Sequence, residues 1–332
     1  MNPLFGWVPH RSRTEEQNAA HEKAIGEMPK FEIKGRTVYG PEKKVLLFDW
    51  SKEANGGEHL PPFHQYSGSC VGQGLGMAWW TLIGVQMAKL GQAIANTMPM
   101  YLVAYGKSRE LMGARGKGEG SLGSMAAKAA QLYGAPPCDL DGLPKAAKEA
   151  DGSLAYGKAV EIAYSYGPAI DRKWHDAAKP YLIRTVAPVR TGDAVREAIV
   201  NGYPVTIASD WGGLQDRSGR IYPCPVTSGV LLNQKASVWP HQMCVLGWWE
   251  HPVLGEIFYV RNSWGAKVHG VCPSGAPAGG FWVRKADIDY ITRQGDSFAF
   301  SSFVGYPAQN MELDFFVSAE RRPSGLFVST AA

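Results

Sequence analysis

The chain carries little net charge, and its charges are not gathered into patches. Thirty-four lysines and arginines face 30 aspartates and glutamates over 332 residues, a formal net charge of +4. No run of lysine or arginine reinforces that small excess, whereas a surface that binds nucleic acid needs such a cluster against the phosphates. We therefore expect no nucleic-acid partner.

Long apolar runs are also missing. No window approaches the roughly 18 uninterrupted apolar residues that a membrane-spanning helix needs. The first residues, 1–7, lack the basic run and apolar core of a signal peptide. Hydrophobic residues nevertheless make up 45% of the chain and charged residues only 19%, which is typical of globular proteins. The length allows one large two-lobed unit or two ordinary domains. Because long apolar runs are missing, we expect no membrane partner.

Cysteine is scarce, and its spacing suggests no pairing. The five cysteines are Cys70, Cys138, Cys224, Cys244 and Cys272. No two form a Cys-x-x-Cys pair, so the sequence predicts no metal site, and nothing else in it calls for a cofactor. An odd number of cysteines without a signal peptide favours a reducing, cytoplasmic location with free thiols.

Three separated segments supply a thiol, an imidazole and an amide. Cys70 lies in Gly-Ser-Cys-Val-Gly at the start of a helical pattern, where the free N–H groups of a helix N-terminus favour a thiolate. His241 begins an apolar strand pattern, and Asn262 opens Asn-Ser-Trp-Gly. A cysteine nucleophile needs a base, and that base needs a partner to orient its ring. The set predicts Cys70 as nucleophile, His241 as base and Asn262 as orienting group.

This ordered set resembles the papain-like cysteine peptidases over roughly residues 60 to 305. Residues 68–70 look like the Gly-Ser-Cys at the nucleophile of that family, and 240–248 resemble its His-Ala-Val strand. Residues 262–265 match its Asn-Ser-Trp-Gly as they stand, and 279–283 look like the strand that follows. The resemblance implies a peptidase acting on protein or peptide substrates.

The resemblance also implies supporting roles. Gln65 would donate its side-chain amide to the oxyanion, with the backbone N–H of Cys70 as the second donor. Trp264 would shield the histidine–asparagine bond from water, and Gly68 and Gly72 would let a substrate backbone come close. The spacing from Gln65 to Cys70 is one residue shorter than usual in the family, so the aim of the Gln65 amide is open.

One departure bears on the kind of relative. Secreted members usually carry a half-cystine three residues before the nucleophile, and here that position is Ser67. The chain is therefore more similar to bacterial or virus-encoded members without disulfides. Such a protein would be cytoplasmic, or virion-associated if a virus encodes it.

Periodicity and resemblance together predict an α+β fold with two lobes. A helical lobe, 59–190, would carry the nucleophile helix and a mostly helical insertion at 145–180, and an antiparallel β lobe, 191–310, would carry the histidine and asparagine. Other elements predicted from apolar patterns are helices at 13–25, 99–111, 121–133 and 191–201 and strands at 203–208, 241–249, 255–262 and 280–284.

The two ends of the chain are predicted to lie outside the two lobes. Residues 1–58 are polar and charged at first and are expected to form an arm or a pro-segment, the structural arm being the simpler interpretation. Residues 311–332 are expected to form a tail. Either end is a candidate surface for an assembly partner.

Three classes of function stay open. The first is a thiol-dependent endopeptidase that works through an acyl-enzyme. The second is a non-catalytic binding or structural protein on the same fold, which the short Gln65 spacing and the missing propeptide pattern favour. The third is related thiol chemistry, such as amide or cell-wall hydrolysis. Two other histidines, His269 and His64, are alternative bases.

Overall fold

The molecule combines a group of helices with a mainly antiparallel sheet. The computed structural model describes residues 5–90, 96–166, 176–178, 181, 183–273 and 275–311. Within these, the helices are α1 (Glu15–Gly26), α2 (Leu47–Ala54), α3 (Cys70–Leu90), α4 (Tyr101–Leu111), α5 (Gly123–Leu132), α6 (Lys158–Ser165), α7 (Gly192–Val200) and α8 (Lys285–Thr292). The predicted tail lies outside the described residues except for Met311.

A seven-stranded sheet takes six of its strands from the second half of the chain and one from residues 44–46. The strands of this sheet are β2 (Lys44–Leu46), β5 (Thr185–Pro188), β6 (Val205–Gly212), β9 (Ser237–His251), β10 (Gly255–Arg261), β11 (Gly280–Arg284) and β12 (Phe298–Ser301). Their order is β11-β10-β9-β6-β12-β5, with β2 also paired to β9. All of these pairings are antiparallel.

Short two-stranded pairs are also present. These are β1 (Ile33–Lys34) with β13 (Tyr306–Pro307), β3 (Ala147–Lys148) with β4 (Leu154–Ala155), and β7 (Val226–Thr227) with β8 (Val230–Leu231). The predicted α+β class is confirmed by this arrangement. Among the described helices, none combines the length and apolarity needed to cross a bilayer.

Helix α3 is the central helix of the core. It is buried from Cys70 to Gln86, and its sequence carries no charged residue before Lys89. A helix that is apolar all round is stable only when other elements surround it. Glycines permit the close crossings: a Cβ on Gly76 would lie 2.5 Å from the Tyr101 ring of α4. Gly72 likewise faces Tyr105, at 2.7 Å from a built Cβ, so the prediction that it makes room for substrate is wrong.

The long strand β9 brings the second half of the site to the first. It pairs with β6, with Ser209 opposite His241, and with β10, which ends at Arg261 immediately before Asn262. The side-chain amide nitrogen of Gln242 donates to the carbonyl of Val71, at 2.9 Å. That bond ties the strand directly to the first turn of α3.

The insertion predicted to be mostly helical is only partly so. Helix α6 lies within it, but β3 and β4 form a hairpin over 147–155. The turn contains Asp151-Gly152-Ser153, where Gly152 has a φ of +87° and Asp151 accepts from the Ser153 N–H at 3.0 Å. Asp-Gly is a favoured turn sequence because glycine adopts positive φ without strain. Residues 167–175 of the insertion lie outside the described residues.

Candidate active site

Cys70 is the first residue of α3 and is fully buried. Its sulfur lies close to the backbone N–H groups of Gln242, Gly6, Trp7 and Val71. Burial nevertheless raises the pKa of the thiol to about 12, and the N–H groups offset only part of that rise. Desolvation thus opposes the thiolate that a helix N-terminus favours, and in this closed state it is the larger of the two effects.

The burial of Cys70 is partly due to the N-terminal arm. The carbonyl of Gly6 accepts from the Ser121 N–H at 2.7 Å, and the Val8 N–H donates to the Ser121 carbonyl at 3.1 Å. On the other side, the Trp7 N–H donates to the Pro240 carbonyl at 3.3 Å. Residues 5–8 thus bridge the helical half and the sheet across Cys70.

Two glycines allow the arm to lie this close. A Cβ built on Gly6 would be 1.9 Å from the carbonyl oxygen of Gly68, which is far inside contact distance. A Cβ on Gly68 would be 3.1 Å from the carbonyl oxygen of Phe5. The backbone of the arm therefore packs against the backbone of Gly68 beside the thiol.

His241 and Asn262 are hydrogen-bonded. The distance from His241 Nε2 to Asn262 Oδ1 is 2.7 Å, and because an amide oxygen only accepts, Nε2 must carry the proton. The other ring nitrogen, Nδ1, is buried and has no hydrogen-bond partner among the described residues, Cys70 included. Burial lowers the pKa of His241 to about 4, although the bond to Asn262 raises it in part. The ring is accordingly a neutral base with Nδ1 unprotonated.

Aromatic rings enclose that pair. Trp264 stacks on His241 with ring centroids 4.5 Å apart and an angle of 30°. Phe5, from the arm, meets both rings edge-on, at 6.4 Å from His241 and 6.2 Å from Trp264. Trp264, which the resemblance predicted beside the histidine–asparagine bond, is thus in contact with the imidazole of His241.

His269 lies against Asn262 instead of forming a bond to Cys70. The Asn262 side-chain nitrogen is 2.9 Å from His269 Nε2, and Asn262 Oδ1 also accepts from the Ser263 N–H at 2.7 Å. Since Nε2 accepts here, the ring proton is on Nδ1, which is 3.9 Å from the sulfur of Cys224. His269 is fully buried, and desolvation lowers its pKa to about 3. The amide of Asn262 is thereby held between two imidazoles, a role that the sequence did not indicate.

Gln65 is buried beside the site, with its amide turned toward its own loop. The side-chain nitrogen donates to the Ser67 carbonyl at 3.0 Å, and the side-chain oxygen accepts from the Ser263 hydroxyl. The backbone N–H of Gln65 donates to the Ser263 carbonyl at 2.9 Å. His64, the other alternative base, stacks on Tyr66 with centroids 4.7 Å apart.

Glu161, on α6, holds the nucleophile loop, and sequence reasoning missed it. Its carboxylate is fully buried and accepts from the hydroxyls of Ser67 and Ser69, both at 2.7 Å. It also accepts from the Tyr66 N–H at 3.0 Å and from the side-chain nitrogen of Gln73 at 3.3 Å. Burial raises the pKa of Glu161, and the hydrogen bonds oppose that rise. One carboxylate therefore links four points on the segment from Tyr66 to the first turn of α3.

The site contains no arrangement typical of a metal centre. Among the described residues, no group of three or more histidine, cysteine, aspartate or glutamate side chains could hold a metal ion. All five cysteines lie in the described part of the chain, and none of them forms a disulfide there.

Solved structures with the same overall fold include several cysteine proteases. Xylellain, a cysteine protease from Xylella fastidiosa, matches with a TM-score of 0.51 and 17% identity over 91% of this chain and 92% of its own. The proCathepsin B S9 of Trypanosoma congolense matches with a TM-score of 0.51 and 12% identity over 91% and 94%. The digestive procathepsin L2 of Tenebrio molitor gives 0.51 and 15% over 91% and 84%.

Sequence comparison adds nothing to these structural matches. No family model matches the chain, and no curated protein matches it. A central helix begins at Cys70, and an antiparallel sheet carries His241 on its longest strand. The chain has the α+β fold of the papain-like cysteine proteases.

Proposed function

We propose that this protein is a thiol-dependent endopeptidase that uses Cys70, His241 and Asn262. The observation that carries the proposal is the 2.7 Å bond from His241 Nε2 to Asn262 Oδ1, in a strand tied to the first turn of the Cys70 helix. That bond fixes the tautomer in which Nδ1 is free to take a proton. The shared fold with cysteine proteases supports the same assignment.

The chemistry follows from these groups. His241 Nδ1 takes the thiol proton, and the thiolate sulfur attacks the peptide carbonyl carbon. The oxyanion is stabilised by the backbone N–H of Cys70 and by the Gln65 amide once it leaves the Ser67 carbonyl. His241 returns its proton to the leaving amine, and water then hydrolyses the thioester.

The arm must leave the cleft before any substrate enters. Residues 5–8 lie over Cys70 and use the Ser121 and Pro240 groups that an extended peptide would need. The described state is therefore closed, and in this proposal residues 5–8 of the predicted arm act as the inhibitory segment. Two of the matched solved proteins, a procathepsin B and a procathepsin L2, are proforms by name.

A steric substitution opens the cleft without touching its walls. Gly6→Val in the full chain places a Cβ only 1.9 Å from the Gly68 carbonyl oxygen, which leaves no room, so the arm is expelled. Gly26→Ala is the matched control, because a Cβ there meets nothing within 4 Å. We expect the Gly6→Val protein to cleave a casein substrate and to react at Cys70 with an epoxide inhibitor of thiol proteases.

Peptide mapping of the labelled protein decides the assignment. Cys70→Ala in the Gly6→Val chain should abolish both cleavage and labelling, whereas Cys138→Ala should leave both unchanged. Cleavage that persists without Cys70, or label found mainly on Cys138, contradicts the proposal.

A non-catalytic binding protein is the second candidate. The observation in its favour is that the Gln65 amide donates to Ser67, within its own loop. In that case the opened Gly6→Val chain would neither hydrolyse casein nor show faster alkylation of Cys70 than of the other thiols.

A further inference from the structure

Ser69, the residue just before Cys70, occupies the N-cap position of α3. Its carbonyl accepts from the N–H of Gln73 at 3.0 Å, which is the first hydrogen bond of the helix. A serine at this position usually turns its hydroxyl oxygen back to accept from the second or third N–H of the helix. In α3 those two N–H groups belong to Val71 and Gly72.

Two other helices of the chain are capped in this usual way. Thr14, before α1, accepts from the N–H of Gln17 at 3.2 Å. Thr191, before α7, accepts from the N–H of Ala194 at 3.1 Å. The hydroxyl of Ser69 differs: within the described residues, none of the first-turn N–H groups of α3 donates to it, and both of its hydrogen bonds are to side chains.

The first of those side chains is Glu161. The Ser69 hydroxyl lies 2.7 Å from Glu161 Oε2, and because an ionised carboxylate only accepts, the hydroxyl is the donor. The second is Gln73, whose side-chain nitrogen donates to the Ser69 hydroxyl oxygen and to Glu161 Oε1, both at 3.3 Å. The amide oxygen of Gln73 accepts from the Tyr101 hydroxyl at 2.8 Å, which fixes the direction of that amide. The Ser69 hydroxyl is therefore held away from capping the helix.

The N–H groups left uncapped are those beside the thiol. Cys70 is the first residue of α3, and the Val71 N–H lies close to its sulfur. Hydrogen bonds from N–H groups stabilise a thiolate. A capping hydroxyl would compete with the sulfur for such a donor, because an N–H shared between two acceptors binds each of them less strongly. Glu161 removes this competitor by taking the hydroxyl for itself.

The charge of Glu161 would act on the thiol in the opposite direction. A negative charge near a cysteine disfavours the thiolate. If Glu161 acted on Cys70 through its charge, removing the carboxylate would make the thiol more reactive. If it acts through the Ser69 hydroxyl, removing the carboxylate releases the hydroxyl to cap α3, and the thiol becomes less reactive. The sign of the effect therefore separates the two explanations.

We infer that Glu161 is a positioning residue for the nucleophile: by holding the Ser69 hydroxyl, it keeps the first N–H groups of α3 available to the sulfur of Cys70. Glu161 acts through Ser69 and through the helix terminus. The inference rests on the proposed endopeptidase and deepens it, since it names what keeps the same thiol reactive once the cleft is open.

The rate of alkylation at Cys70 tests the inference without requiring catalysis. The protein is the full chain with Gly6→Val to open the cleft, and the probe is iodoacetamide, an uncharged reagent, at one mildly acidic pH. Peptide mapping by mass spectrometry follows the reaction at Cys70. Glu161→Ala should slow it at least ~5-fold, because a hydrogen bond to a charged group is weakened. The matched control is Glu110→Ala, which removes an exposed carboxylate from the end of α4 and should leave the rate unchanged.

Removal of the Ser69 hydroxyl gives a readout that a merely structural role would not change. Ser69→Ala combined with Glu161→Ala should restore the rate to within about twofold of the Gly6→Val parent, since no hydroxyl remains to cap α3. Ser69→Ala alone should change the rate by less than about twofold, because Glu161 already keeps that hydroxyl off the helix. This last comparison stands even if the Glu161→Ala chain does not fold.

Several outcomes overturn the inference. They are an unchanged or faster rate in Glu161→Ala, a slow rate that Ser69→Ala does not restore, a larger change in Ser69→Ala alone, and no reaction of Cys70 in the Gly6→Val parent. Cleavage of casein by the parent is scored separately. A parent whose Cys70 reacts and responds to these variants, but which cleaves no casein, contradicts the peptidase proposal and leaves the role of Glu161 in place.

Discussion

At the scale of single residues, the orientation of one amide determines which nitrogen of His241 is the base. Asn262 presents Oδ1 to His241 and Nδ2 to His269. A reversed amide would donate to Nε2 of His241, so the ring proton would lie on Nδ1, and Nδ1 could not accept the thiol proton. His269 is therefore expected to be a positioning residue that acts through Asn262.

Two substitutions at His269 separate positioning from packing. His269→Phe keeps the ring but leaves Asn262 Nδ2 without an acceptor, and an unsatisfied buried donor costs about 1–3 kcal/mol. We expect kcat/KM of the Gly6→Val chain to fall by ~10–100-fold. His269→Gln supplies an acceptor oxygen and should restore activity to within a few-fold, measured with a fluorogenic peptide. If both variants are equally active, or equally impaired, Asn262 does not depend on this contact.

At the scale of elements, the nucleophile loop is fastened to α6 by Glu161. Four donors converge on one carboxylate, so the replacement Glu161→Gln turns an amide NH2 toward groups that also donate. We expect the free energy of unfolding to fall by about 2 kcal/mol or more, since hydrogen bonds to charged groups are the stronger kind. Urea denaturation measures this.

The matched control for Glu161 is Glu110→Gln. Glu110 is exposed at the end of α4, and its ion pair with Lys107 is a surface contact of small energetic value. Unfolding midpoints that do not distinguish the two variants would show that the Glu161 hydrogen bonds are not what holds the loop.

The elements around the site differ in how well sequence alone predicts them. Helix α3 and strand β11 follow from local apolar patterns, because a buried helix or strand shows its period within its own residues. The β3–β4 hairpin was missed because alanine and lysine around it suggested helix, although Asp151-Gly152 is a turn signal. The arm over Cys70 and the Glu161 contacts join residues far apart in sequence, so no local pattern could reveal them.

At the scale of the whole molecule, buried histidines make stability depend on pH. Burial lowers the pKa of His241 to about 4 and of His269 to about 3, from an unfolded value of 6.5, and desolvation also lowers the pKa of His21. The unfolded chain therefore binds protons that the folded chain does not as pH falls below 6.5. Stability present above pH 6.5 is lost toward pH 4, by about 3 kcal/mol for His241 alone.

Denaturation at several pH values tests this dependence. Carboxylates also titrate in this range, so the informative quantity is the difference between variants. His269→Gln should flatten the fall in unfolding free energy between pH 6.5 and 4, whereas His10→Gln, at an exposed position, should leave it unchanged. A slope that is the same in all three proteins would refute the contribution of His269.

The attachment of the arm has a kinetic consequence. Residues 5–8 belong to the same chain as the cleft, and α1, a few residues further on, is anchored through His21 and through the ion pair of Glu27 with Lys128. A tethered segment competes at an effective concentration that is typically millimolar. A free peptide with micromolar affinity at micromolar concentration is therefore outcompeted. A single cut between the arm and the body turns the arm into a separate molecule that dilution removes. One broken peptide bond per molecule therefore suffices to open its cleft.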